Sequence, residues 1–165
     1  MRLVRVEEAL EECQNHLTST GAFGTAIEHL LSYALLVVIF AEFEQTVEKT
    51  IREKYDAIQD DSLKAFFRSF SGRDSRRILP RGIKTSELAE FLARFGETYK
   101  SQFRTKLEEN QRQETYYNNL IVNRHDTAHS SGSNATFLDI QQFYQEGHSV
   151  LDCFRETLLN VDHDE

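Results

Sequence analysis

Proline is almost missing from this chain: Pro80 is the single one in 165 residues, beside seven glycines. The two strongest helix breakers are therefore scarce, which suits a helical globular protein. Cysteine is scarce as well. Cys13 and Cys153 fall at apolar positions of predicted helices, where a free thiol behaves as a small hydrophobe, and with no sign of secretion a disulfide is not expected. The apolar run from Leu30 to Phe43 stops short of the ~20 residues that cross a bilayer, and it continues directly into Glu42, Glu44 and Glu48. It reads as a buried core helix. It also starts far from Met1 with no cationic region or cleavage signature before it, so neither a secretory signal nor a membrane partner is expected, and a cytoplasmic location is the default. Basic residues are in deficit, 19 against 27 acidic ones, for a net charge of −8. The whole molecule repels polyanions, so any RNA contact must use a local basic surface.

What is present points to helices. Hydrophobic residues make up 39% of the chain, and its length can bury most of its apolar surface without disulfides or metals. One domain over residues 1–160 is expected, with 161–165 as a frayed acidic tail. Leu3, Val6, Leu10, Cys13 and Leu17 recur at three- and four-residue steps and predict a first helix from about residue 2 to 19. After Gly21 and Gly24 a long helix runs from about Thr25 to Tyr55, apolar nearly all round in its first half, as a helix in the middle of a bundle is.

A short helix at about Ser62–Phe70 precedes an interruption marked by Gly72, Pro80 and Gly82. Thr85 or Ser86 can cap the next helix, whose apolar stripe is Leu88, Phe91, Leu92 and Phe95. Helical periodicity then continues from about Tyr99 to His129, with Asn110 to Gln113 as a candidate break, and Ser130 to Asn134 stops it. Thr136 caps a last predicted helix lined by Ile140, Phe143, Gly147, Val150, Phe154 and Leu158. No repeat, strand alternation or low-complexity segment stands out, so the fold class is all-α.

The densest chemistry lies at Arg124-His125-Asp126-Thr127-Ala128-His129, at the end of a predicted helix just before a Ser- and Gly-containing loop. An imidazole that titrates near neutrality can take a proton from a 2′-hydroxyl or return one to a leaving oxygen, and a guanidinium can hold the charge that develops on phosphorus. Those are the parts a metal-independent ribonuclease requires. The bland alternative is a solvated helix end, where cations favour the C-terminal dipole. His125 and His129 also stand at zinc-ligand spacing, with Asp126 nearby, but no Cys neighbour or His-Glu-x-x-His sequence supports a metal site, and His16, His29 and His148 read better as helix-face residues. No metal and no cofactor is expected.

Arg, four intervening residues and His, preceded by Leu120-Ile121-Val122-Asn123 and followed by a short loop, resembles the HEPN signature. Thr136 to Tyr144 is similar to the helix that follows the motif in the RiboL-PSP branch of HEPN domains, and Leu35 to Glu44 resembles the apolar helix that carries an acidic residue there, with Glu44 the better match. The likeness covers roughly residues 28–58 and 115–158. It implies an up-and-down helical bundle that forms a homodimer, with the two Arg/His motifs facing one another across a shared cleft. In that arrangement His129 is general acid or base, Arg124 positions the phosphate, His125 orients the site, and RNA cleavage leaves a 2′,3′-cyclic phosphate. Glu44 either partners the motif or marks where the helix re-emerges into solvent.

By analogy the resemblance also points to a toxic or defensive role in a bacterial system, restrained by an antitoxin or other regulatory protein. Ser131 stands where related toxins that a nucleotidyltransferase modifies have a Tyr. A non-catalytic HEPN-like interaction module is the alternative function, with the motif then structural. Between Ser62 and Ser86, seven basic residues face one acidic residue, Asp74. Arg68, Arg73, Arg76, Arg77, Arg81 and Lys84 there are candidate RNA contacts; a solvated loop or a site for an acidic partner are the other readings.

Overall fold

The computed structural model describes residues 3–69, 83–128 and 135–160; side chains are described except at 66–69, 125–128 and 160. Within those residues the chain is all-α, with eight helices and no strand. They are α1 (Val4–Thr20), α2 (Ala26–Asp56), α3 (Asp61–Ser69), α4 (Thr85–Leu92), α5 (Glu97–Glu109), α6 (Gln111–Ala128), α7 (Phe137–Gly147) and α8 (Ser149–Asn160).

Local chemistry sets most of the boundaries. Gly21 ends α1 in the left-handed conformation, φ 65°, that a side chain disfavours. Asp60 accepts the backbone N–H groups of Ser62 and Leu63 at 2.8 and 2.9 Å and so starts α3. At α7 the expected cap is present: Thr136 Oγ1 accepts from the Asp139 N–H at 3.2 Å, while the Thr136 N–H donates back to Asp139 Oδ2 at 2.9 Å. The predicted break at Asn110 separates α5 from α6.

Two expectations are corrected. Neither Thr85 nor Ser86 caps α4: the cap position is Lys84, whose N–H donates to Glu87 Oε2 at 3.0 Å, and Thr85 is the first helical residue and buried. The last predicted helix is two, α7 and α8, parted at His148. There the His148 ring stacks on Tyr144, and its Nδ1 lies 3.0 Å from the Tyr144 carbonyl oxygen.

The helices group into two compact units. One comprises Met1–Phe43 with Gln111–Ser149. Its core takes Val6, Leu10 and Leu17 from α1, Leu35, Leu36, Ile39 and Phe43 from α2, and Tyr117, Leu120, Ile140 and Tyr144 from α6 and α7. The other comprises Glu44–Asn110 with Val150–Glu165. In it Phe154 meets Phe91 and Phe103 with ring centroids 6.4 and 6.1 Å apart, and Glu53 pairs with Arg155. Cys13 and Cys153 are free and half-buried, and burial pushes both thiols above their ordinary range, away from nucleophilic use.

The apolar run of α2 is a core helix on one face only. Leu35, Leu36, Ile39 and Phe43 are buried, whereas Ile27, Leu30, Tyr33 and Val37 are exposed. By length and composition alone α2 could cross a membrane: its most apolar window has a mean hydropathy of 1.7, and 33% of that window is buried, less than the mostly buried core helix expected from the sequence.

Candidate active site

The motif helix is held by a ring stack and a close backbone crossing. Tyr117 of α6 is fully buried and lies flat on Phe43 of α2, with centroids 5.3 Å apart and planes 4° from parallel. Tyr144 of α7 reaches the same Phe43 ring at 6.3 Å. Next to that stack, Gly147 brings α7 against α6 so closely that a Cβ on it would stand 2.5 Å from the Tyr117 backbone nitrogen. Arg112 pairs with Glu146 at 3.1 Å, and the Tyr116 ring meets Phe143 at 5.6 Å, so α6 and α7 run antiparallel.

Two turns beyond Tyr117, α6 carries Arg124 to α2. Its guanidinium lies over the Phe40 ring, 4.4 Å from the centroid. A cation this close to an aromatic face gains about 1 kcal/mol when half-desolvated, and Arg124 is half-buried. Among the described residues the guanidinium makes no ion pair and no hydrogen bond. Phe40 was not singled out in the sequence, because a Phe three residues before a core Phe in an apolar run looks like more core; only the register of α6 against α2 gives it a role.

Glu28 fixes the start of α7. It is buried, accepts the Gly24 N–H on Oε2 at 2.6 Å, and accepts the Phe137 N–H, at the start of α7, on Oε1 at 2.9 Å. The Gly24 bond first, then the Phe137 bond, hold its carboxyl below the ordinary value of 4.5. Phe23 packs on Phe137 edge-to-face at 6.4 Å beside them. The start of α7 is therefore tied to α2 by a charge-assisted hydrogen bond. Sequence reading missed Glu28, whose only signal is a carboxylate in the first turn of α2.

The other candidates divide as follows. His125 lies on α6 with its side chain outside the described residues, as is that of Asp126, and His129 lies outside them altogether. Arg68 is on α3 without a described side chain; Arg73, Arg76, Arg77 and Arg81 are outside the described residues, and Lys84 is exposed at the start of α4. Glu44 is exposed on α2, one turn beyond Phe40. His16 and His29 are exposed, and no cluster of three His, Cys, Asp or Glu suited to a metal occurs among the described residues.

The sequence profile of the RiboL-PSP-HEPN family matches residues 1–160. The chain belongs to that family. The match extends the likeness seen in the sequence through α1 and through the middle of this HEPN chain. No curated protein and no solved structure matches it.

Proposed function

We propose that this HEPN protein is a metal-independent RNA endonuclease whose site is completed in a homodimer. The carrying observation is the Arg124 guanidinium, immobilised over Phe40 at the end of α6 with its N–H fork uncommitted among the described residues. A planar fork held by stacking can grip two phosphate oxygens at once and stabilise the extra charge of a pentacoordinate phosphorus.

In this reading the 2′-hydroxyl attacks the adjacent phosphorus while an imidazole removes its proton. The P–O5′ bond breaks, and an imidazolium protonates the departing 5′-oxygen. The products are a 2′,3′-cyclic phosphate and a 5′-hydroxyl. His129 is the general acid or base and His125 orients the site. The basic residues between 62 and 86, Lys84 included, supply phosphate contacts that the net charge of −8 cannot.

The test is cleavage of labelled single-stranded RNA and transfer RNA in EDTA by wild type, Arg124→Ala and His129→Ala, with product ends identified. Cyclic-phosphate ends produced by wild type only are the expected result. Equal cleavage by all three, or none, overturns the proposal. The exposed apolar face of α2 favours one second reading, a non-catalytic interaction module, and a well-folded wild type that leaves RNA intact decides for it.

A further inference from the structure

The second unit carries a ladder of rings rooted in its core. Phe95, in the turn between α4 and α5, meets Tyr55 of α2 at 6.2 Å with the planes 28° apart, and Tyr99 of α5 at 6.0 Å. Behind it, at 5.5 Å, lies Phe91, which is buried and packs on Phe154. The inner rung is thus fixed in the core, whereas Tyr55, Phe95 and Tyr99 are half-buried and keep part of their surface in solvent. Two cations stand beside the rings. Lys54 donates to the Tyr99 hydroxyl at 3.2 Å, and its Nζ is 5.4 Å from the ring centroid, so it sits toward the hydroxyl end rather than over the middle of the ring. Arg94 is exposed, with its guanidinium 5.6 Å from the Phe91 centroid, and among the described residues its side chain makes no ion pair and no hydrogen bond. Burial raises the Tyr55 phenol above its ordinary value and the Arg94 charge pulls it back, so the guanidinium lies in the field of that ring as well.

We infer that this ladder is a stacking site for the unpaired bases of single-stranded RNA. Three observations select that ligand. Rings held rigid from behind offer a face on which any base can stack, and cations beside them suit the phosphates of the same strand. Charge is also segregated: between residues 62 and 106 eleven basic residues stand against four acidic ones, a balance of +7 within a chain of −8. The stretch that supplies Phe95, Tyr99 and Arg94 therefore attracts the polyanion that the molecule as a whole repels. Immediately around the rings the balance is even, Lys54 and Arg94 against Asp56 and Glu97, so stacking rather than charge sets the grip. An acidic polypeptide fits less well, because carboxylates gain nothing from the ring faces, and a duplex hides the faces of its own bases.

The candidate contacts between 62 and 86 are cations and grip any phosphate backbone, whereas the ladder distinguishes an unpaired strand from a paired one. None of its rings belongs to the unit that carries Arg124. The part it plays in cleavage rests on the nuclease reading proposed above; binding itself rests on the rings and their cations.

The experiment is fluorescence anisotropy of the full chain with a labelled 2′-O-methyl RNA strand, whose blocked 2′-oxygen prevents cleavage. The comparison ligands are a strand of the same length with abasic residues in its middle, the corresponding duplex, and polyglutamate. Wild type, Tyr99→Leu, Tyr99→Phe and Arg94→Gln are titrated, each checked by circular dichroism and thermal melting, and RNA cleavage is assayed in parallel. Wild type is expected to bind the intact strand about tenfold more tightly than the abasic one, and more tightly than duplex or polyglutamate. Tyr99→Leu is expected to lose about tenfold on the intact strand and little on the abasic one, while Tyr99→Phe, which keeps the ring, stays within about twofold of wild type. Arg94→Gln is expected to reduce the slope of log affinity against log salt by about 0.7, the share of one phosphate contact on a single strand. No binding by wild type, equal affinity for the abasic strand, tighter binding of duplex or polyglutamate, or wild-type affinity in Tyr99→Leu overturns the inference. Should Tyr99→Leu fail to fold, the abasic comparison and the Arg94→Gln slope decide, and an unchanged slope then overturns it. Ladder-dependent binding by a wild type that leaves RNA intact sinks the nuclease and keeps the ladder; RNA cleavage with binding indifferent to Tyr99→Leu does the reverse.

Discussion

Gly147 stands so close to Tyr117 that no side chain fits between them: a Cβ would lie 2.5 Å from the Tyr117 nitrogen and 2.8 Å from its Cα. The obstructing atoms are backbone in the middle of α6, so nothing can rotate away. The two helices must move apart, and with them the stack of Tyr117 on Phe43.

Gly147→Ala is therefore expected to destabilise the protein, although alanine is the better helix former by about 1 kcal/mol. Overpacking at a rigid contact costs about 1–3 kcal/mol, and the upper part of that range outweighs the propensity gain. Urea denaturation reads the net effect. A variant as stable as wild type would mean that α7 slides freely on α6.

The restraint on Arg124 separates two substitutions of the ring beneath it. Phe40→Leu keeps an apolar side chain but loses the π-face under the guanidinium, whereas Phe40→Tyr keeps it. We expect Phe40→Leu to lower kcat/KM for RNA about tenfold, the equivalent of ~1.4 kcal/mol, with an unfolding midpoint close to that of wild type, and Phe40→Tyr to lose little. Equal rates for all three proteins would show that the ring only fills space.

Arg124→Lys tests what the guanidinium itself supplies. An ammonium keeps the positive charge but neither stacks as a plane nor offers a fork of parallel donors. Cleavage by this variant is expected to fall at least a hundredfold, nearly as far as with Arg124→Ala, while binding of uncleavable 2′-deoxy RNA changes less. A lysine variant of near wild-type rate would reduce Arg124 to a point charge.

Much of this was legible from the sequence because it is written locally. The Thr136–Asp139 cap, the stop at Gly21 and the break at Asn110 depend on residues within one turn of each other. The parting of α7 from α8 left no trace, since a one-residue interruption at His148 does not disturb the spacing of Gly147, Val150 and Phe154. The α4 cap misled for a different reason: Thr85 has a capping side chain, but its burial makes it part of the helix and shifts the cap to Lys84. Non-local pairings were out of reach. Nothing in the run Leu35 to Phe43 tells which apolar residues face the core and which face water, so a half-exposed helix looked like a buried one. Phe40 against Arg124 and Glu28 against Phe137 are set by how distant helices meet.

Glu28 makes the stability depend on pH in a direction that follows from its hydrogen bonds. Both N–H donors, from Gly24 and Phe137, favour the charged carboxylate, so its folded value lies below the ordinary 4.5. A depressed carboxyl stabilises the fold above its unfolded value and loses that contribution as pH falls through the folded one. Wild type should keep the contribution in full at pH 7 and begin to lose it only below about 4.5, the ordinary value. Glu28→Gln replaces one acceptor by an NH₂ group that meets a backbone donor, and leaving a buried donor unpaired costs about 1–3 kcal/mol. The variant should thus be clearly less stable than wild type in urea at pH 7, and the gap should narrow at pH 3. A gap that stays constant between the two pH values would mean that the carboxylate charge contributes nothing and that Glu28 acts there as a neutral acceptor.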